Sequence, residues 1–233
     1  MLQIKTRAVV FDLDGVISDT ASLHKKAWKI VLNKYIVSQK IKVKKFTYRD
    51  YYLYVDGKPR VNGINDFFKS RNIIIKKKIN NNIANNKNKI FKKLIKISKV
   101  LVFKDSLVLI KKLKNKKIKI ALASSSKNCR LIIKKLKLKK YFNYICDGSD
   151  LEKLNLPGKP EPHIFNKCFE KLRTGPKFST IIEDSISGVI AARKSKVKNC
   201  IGIDRKNNYQ HLQNAGANII VKSLLKLNFI NND

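Results

Sequence analysis

The chain is poor in acid. Its 233 residues carry 52 lysines and arginines against 16 aspartates and glutamates, a formal net charge of +36. Cysteine is sparse as well: Cys129, Cys146, Cys168 and Cys200 lie far apart and form no C-x-x-C pair. That excludes a small disulfide-stapled scaffold. Only three histidines are present, His24, His163 and His211, at no metal-ligand spacing, which excludes a structural zinc. No apolar run approaches the ~20 residues that span a bilayer. The opening MLQIKTRAVVFDLDG moves directly into a strand-like run with no signal-peptide h-region. These absences lead us to expect a cytoplasmic protein with no membrane partner. With 43% hydrophobic residues the chain is too apolar to stay disordered, and it is long enough to bury a core as one large domain or as a domain with an insertion.

The positive charge invites a nucleic-acid reading. Lysine, however, recurs in nearly every segment, as in KKKINNNIANNKNK and LKNKKIKI, rather than forming one tail or stripe. Asparagine, isoleucine, tyrosine and phenylalanine are abundant beside it, while alanine, glycine, proline and arginine are scarce. The enriched residues share A/T-rich codons, so genome composition accounts for the pattern, and no specific nucleic-acid partner is expected. The rare carboxylates are more informative because they cluster. Asp12, Asp14 and Asp19 fall in one short stretch, and Glu183 with Asp184 in another.

Residues 6–11 (TRAVVF) read as a buried strand that ends at an Asp/Gly turn. Helical periodicity runs over 22–34, returns after the turn signal DGKPR within 48–73, and covers 79–99, where Ile83, Ile90, Phe91, Leu94 and Ile95 keep helical spacing. After Leu101 the pattern alternates. Helices are expected over 106–113, from SSSKN through 138, over 162–172 and over 187–195; strands are expected at 117–123, 144–146, 180–182, 199–203 and 218–221. This alternation predicts an α/β fold, a Rossmann-like parallel sheet with helices on both faces. The helical stretch that interrupts it predicts an inserted domain over 19–100, with 1–18 and 101–233 forming the core.

In such sheets, reactive groups gather beyond the carboxyl ends of the strands. Those ends carry Asp12 and Asp14, then Ser124 with Ser126, Lys127 and Asn128, then Lys159 on a loop, then Glu183 and Asp184. The set suits transfer of a phosphoryl group to a carboxylate. Asp12 would attack phosphorus in line. Asp14, two residues on, can face the same way and would serve the leaving and entering alcohols as acid and base. Ser124 and Lys159 would stabilise the transferring oxygens. A carboxylate and a phosphate dianion repel, so Mg2+ is expected, with Asp12 and Asp184 as oxygen ligands. Each element taken alone has a plainer reading: DLDG as a turn, Ser124 as a helix N-cap, Lys159 as one of many lysines in a basic chain, and Glu183–Asp184 as partners of a helix dipole. What favours the chemical reading is that all four occur in order at strand ends.

FDLDGV, IALASSS, GKPEP and IIEDSISG, in this order, resemble the four motifs of the haloacid-dehalogenase superfamily, and the details resemble its β-phosphoglucomutase-like branch. The resemblance implies Asp12 as nucleophile and Asp14 as acid/base. It implies Mg2+ held by Asp12, the Asp14 backbone carbonyl and Asp184, with Glu183 beside them. It also makes the insertion a helical cap that closes over substrate. SDTASLHKKAW keeps the branch's Thr20, His24 and Trp28; Trp28 reads first as a packing residue, while for His24 the cap role is favoured over a place on the helix surface. Gly57 to Arg60 matches G-x-x-R, whose arginine grips a non-reacting phosphate; Lys87 with Asn88, and Ser126, Lys127 and Asn128, match further substrate-binding positions. The resemblance therefore implies a monomeric enzyme that converts β-glucose 1-phosphate to glucose 6-phosphate through the 1,6-bisphosphate. A sugar-phosphate phosphatase, linked to trehalose or disaccharide metabolism by strings such as DGKPR and GIDR, shares every core residue. A basic nucleic-acid-binding protein and a degenerate remnant are the readings outside enzymology. The first lacks a recognisable module, and the second conflicts with four intact motifs.

Overall fold

The strands that the sequence marks as continuous apolar runs lie in the middle of the sheet, where both faces must be covered. A computed structural model describes residues 2–205 and 207–231. In chain order its elements are β1 (Leu2–Thr6), β2 (Ala8–Phe11), α1 (Ala21–Ser38), α2 (Tyr48–Asp50) running into a π-helical turn at Tyr51–Val55, α3 (Arg60–Lys69) and α4 (Lys77–Ile97). There follow α5 (Lys104–Asn115), β3 (Lys119–Ser124), α6 (Cys129–Lys135), β4 (Tyr144–Asp147), α7 (Gly148–Lys153), α8 (His163–Leu172) and β5 (Ser179–Glu183). The chain then continues through α9 (Ile186–Lys194), β6 (Asn199–Ile203), α10 (Tyr209–Asn214), β7 (Ile219–Val221) and β8 (Leu227–Asn231). The chain divides into two compact units, Met1–Asp19 with Leu101–Asp233, and Thr20–Val100.

In the first unit the strand order is β4-β3-β2-β5-β6-β7, parallel throughout, with helices on both faces as expected. Phe11 at the end of β2 is in register with Leu122 of β3 on one side and with Ile182 of β5 on the other. The order reverses between β2 and β5, and at such a switch point connections leave to opposite faces and open a crevice beyond the strand ends. Residues of AVVF, IALAS and STIIE are buried, and Val10, Ala121, Ile181, Phe165 and Val189 share one apolar cluster. The two segments that enter and leave the unit are paired: Asp19 N donates to Leu101 O at 3.0 Å and Phe103 N to Ile17 O at 2.9 Å.

Three features depart from the sequence expectation. The strand expected over 6–11 is broken at Arg7, whose N–H donates to Phe178 O at 2.7 Å. The preceding residues form β1, which pairs in parallel with β8 as a separate two-stranded sheet, Leu2 opposite Leu227 and Thr6 opposite Asn231. The helix expected to run to 138 stops at Lys135, and Lys137 adopts a left-handed φ of 57° that an α-helix cannot continue through. The six-residue helices α7 and α10 are too short to show a period.

In the second unit α1 packs on α4, and the buried residues Trp28, Val31, Leu32, Ile64, Phe67, Phe68, Ile83 and Ala84 form its core. The Asn/Lys-rich stretch is thus the amphipathic helix that its isoleucine spacing predicts. Two polar residues fall on its buried face, Asn80 and Lys87. Asn80 Nδ2 donates to Val61 O at 2.9 Å and to Asn65 Oδ1 at 2.6 Å, which offsets the loss of water at that nitrogen. Among the described residues, no helix is long and apolar enough to cross a membrane.

One carboxylate ties the start of α5 to two distant segments. Asp105 accepts from Arg205 Nη2 at 2.8 Å, from Ser106 N at 2.8 Å and from Leu224 N at 2.9 Å. Partial burial works to raise this carboxyl, but the Arg205 and Leu224 hydrogen bonds outweigh it and hold it below the ordinary carboxylate value. A depressed folded-state pKa contributes stability above the unfolded value that is lost as pH falls through the folded one. We therefore predict that Asp105→Asn costs about 1–3 kcal/mol near pH 7, and that its deficit relative to the parent protein shrinks steadily below about pH 4. Urea titrations across pH check both points.

Candidate active site

Asp12 is the first residue beyond β2, and its N–H continues the strand ladder by donating to Ile182 O at 3.0 Å. Its side chain is buried, and Oδ1 accepts from Lys159 Nζ at 2.6 Å. Lys159, on the loop before α8, has no exposed surface; its ammonium also donates to Glu183 Oε1 at 2.5 Å and to Ala123 O at 3.1 Å. Burial works to lower the Lys159 pKa, and the carboxylates of Asp12 and Glu183 more than reverse it, so the ammonium keeps its proton. Burial raises the Asp12 carboxyl well above the ordinary value; Lys159 opposes this, while Glu183, Asp14 and Asp184 add to it.

Glu183 ends β5 fully buried, and its second oxygen accepts from Asp184 N at 3.1 Å, Ser185 N at 3.3 Å and Ser185 Oγ at 3.1 Å. Ser185 is the N-cap of α9 and accepts from Gly188 N at 3.1 Å. Gly188 is required by close approach: a Cβ there would sit 2.0 Å from the Glu183 carboxyl carbon. Ligand atoms of Asp12, Glu183 and Asp184 come within 4.8 Å of one another, an all-oxygen set that suits a hard divalent cation. Within that set Glu183 spends both oxygens on protein donors, and Asp12 spends Oδ1 on Lys159.

Asp14 sits on the turn after Asp12 and is partly exposed. Ser124 Oγ lies 3.5 Å from Asp14 Oδ2 and accepts from Ser126 N at 3.1 Å. The turn is closed by Gly15 N to Ser18 O at 2.8 Å and Ser18 N to Leu13 O at 2.9 Å. Gly15 has φ +94°, and a Cβ on it would fall 2.0 Å from Asp184 Oδ2. The Asp184 carboxylate therefore rests against bare backbone of the Asp12–Asp14 turn.

The remaining sequence-predicted residues are more scattered. Ser126 Oγ accepts from Asn128 N at 3.2 Å, and Lys127 forms an ion pair with Glu152 at the surface. In the second unit Thr20 precedes α1 and its carbonyl accepts from His24 N at 3.0 Å. Lys87 Nζ lies 2.7 Å from His24 Nδ1, above the Trp28 and Phe91 rings at 5.0 and 4.6 Å from their centroids. Gly57 has φ +70° just after the π-helical turn, and Arg60 Nη1 donates to Ala84 O at 3.3 Å. Two supporting residues escaped the sequence reading. Ser185 is signalled only by its position three residues before a glycine. Asn208, whose Nδ2 donates to Asp184 O at 3.3 Å, carries no signal at all.

The family model for haloacid dehalogenase-like hydrolases matches residues 9–202. A protein named beta-phosphoglucomutase from Mycobacterium bovis is 32% identical over 96% of this chain and 92% of its own length. A phosphorylated carbohydrates phosphatase from Thermotoga maritima is 29% identical over 92% and 94%. The crystal structure of a beta-phosphoglucomutase from Clostridium difficile superimposes with a TM-score of 0.79 at 25% identity, covering 96% of this chain and 93% of that one. The chain belongs to the haloacid dehalogenase-like hydrolase family and is an enzyme of that family.

The packing at Gly15 can be tested against a second glycine. Gly15→Ala adds both a disfavoured φ and the contact with Asp184, and should cost about 1–3 kcal/mol. Gly175→Ala, whose Cβ would meet only Phe178 at 3.8 Å, should stay within about 0.5 kcal/mol of the parent protein. Urea midpoints of the two variants provide the check.

Proposed function

We propose that the protein is a Mg2+-dependent phosphotransferase acting on a small sugar phosphate, and that it converts β-glucose 1-phosphate to glucose 6-phosphate through the 1,6-bisphosphate. The observation that carries this reading is Asp12 beyond β2, bonded to the buried ammonium of Lys159 and clustered with Glu183 and Asp184, with Asp14 two residues on. An oxygen of Asp12 bonds to phosphorus as the bond to the leaving oxygen breaks, and Asp14 gives that oxygen its proton. In the second half, an incoming hydroxyl loses its proton to Asp14 and takes the phosphoryl group, which regenerates the Asp12 carboxylate. Ser124 donates to the transferring oxygens, and Lys159 balances their charge. Phospho-Asp12 thus passes its group to the C6 hydroxyl of β-glucose 1-phosphate. The bisphosphate then returns its C1 phosphoryl group to Asp12 and leaves as glucose 6-phosphate.

Mg2+ would be held by Asp12, Asp184 and the Asp14 backbone carbonyl, with Glu183 beside them. When bound, the cation offsets repulsion between the carboxylates and the phosphate dianion. Thr20, His24, Trp28, Gly57, Arg60 and Lys87 of the second unit, with Ser126, Lys127 and Asn128 of the first, would bind the substrate. A guanidinium and lysines suit a substrate that carries a second phosphate. The Mycobacterium bovis relative, similar over nearly its whole length, supports the mutase. The Thermotoga maritima phosphatase supports a second reading, in which water takes the place of the sugar hydroxyl.

The test supplies β-glucose 1-phosphate, Mg2+ and a trace of glucose 1,6-bisphosphate, and follows glucose 6-phosphate and free phosphate together. Glucose 6-phosphate should appear faster than phosphate, and Asp12→Asn should lower the rate by at least about 10³-fold. Phosphate without isomerisation would establish the phosphatase instead, and neither product would overturn the substrate assignment.

A further inference from the structure

The sequence string GIDR, which the proposed chemistry leaves unused, ends in a side chain that grips the active-site turn. Arg205 Nε donates to Gly15 O at 3.0 Å, and its Nη2 lies 3.2 Å from Val16 O, 2.8 Å from Asp105 Oδ1 and 3.0 Å from Ser106 Oγ. The guanidinium is stacked on the Phe103 ring, 3.8 Å from its centroid, and Ser106 Oγ itself donates to Val16 O at 2.6 Å. The side chain is mostly buried, at 14% exposure. Both backbone carbonyls it holds directly follow Asp14. Gly15 is also the residue whose bare Cα the Asp184 carboxylate packs against. A planar fork held by the Phe103 ring on its face can hold two successive carbonyls in one orientation; an ammonium, a point charge on a flexible stem, cannot.

We infer that Arg205 is a positioning residue for the phosphoryl-transfer step, setting the Asp12–Asp14 turn by clamping the carbonyls of Gly15 and Val16. This rests on the function proposed above. It predicts an effect on turnover rather than on binding, because Arg205 reaches the turn that carries the reacting carboxylates and none of the residues assigned to the substrate. Misplacing reacting groups by about 1 Å can cost on the order of 10²-fold.

The experiment compares Arg205→Lys with Asp105→Asn, which removes the ion pair but leaves the guanidinium able to reach both carbonyls. Arg205→Lys should lower kcat by about 10- to 100-fold with KM within about threefold. Exchange of the Gly15 and Ser18 amides should speed up at least about tenfold as the turn opens locally, with the Val10 and Ile181 amides unchanged. Asp105→Asn should lose stability while keeping kcat within about threefold. Wild-type kcat with wild-type amide exchange in Arg205→Lys would overturn the inference. So would an equal loss of kcat in Asp105→Asn, which would assign the effect to general stability. If the parent protein turns over no sugar phosphate, the proposed function fails, and exchange at Gly15 and Ser18 alone decides the role of Arg205.

Discussion

A single buried ammonium joins the carboxyl ends of three adjacent strands. Lys159 Nζ touches Asp12 beyond β2, Ala123 O of β3 and Glu183 of β5. Isolated charges of either sign would be costly in this interior; together they satisfy one another, and removing one partner would strand the rest. Much of the site follows from that arrangement. Glu183, held by the ammonium, presents its other oxygen to the Asp184 amide and to Ser185, the N-cap of α9. Asp184 is thereby directed toward the bare backbone of Gly15.

The sheet order makes this contact possible. Because β2 lies between β3 and β5, residues far apart in sequence become neighbours at consecutive strand ends. The reversal between β2 and β5 opens the crevice there rather than elsewhere along the sheet. Fold and site are one construction: the buried registers Phe11–Leu122 and Phe11–Ile182 also set the spacing between Asp12 and its partners.

The parallel sheet was legible in the sequence because its strands are continuous apolar runs separated by helical periods. The carboxylates were legible because acid is rare in this chain and strand ends are where α/β sheets place chemistry. β1 and β8 were not legible: LNFIN buries only Leu227 and Phe229, and the pairing joins the two ends of the chain. The break at Arg7 depends on Phe178 O, which no local pattern reveals. Arg205 and Asn208 were opaque for the same reason, since their partners lie about 190 and 24 residues away in sequence. Lys87 was legible only through family resemblance; in a chain with 52 basic residues nothing local separates a lysine buried over two aromatic rings from the solvated ones.

The central claim is that Asp12 carries the phosphoryl group. Its most direct test is borohydride trapping during turnover, which reduces an acyl phosphate to the alcohol, followed by peptide mapping. The account predicts homoserine at position 12 and at no other aspartate, and no trapped product in Asp12→Asn. Turnover with an unmodified Asp12, or reduction at Asp14 or Asp184 instead, would contradict it.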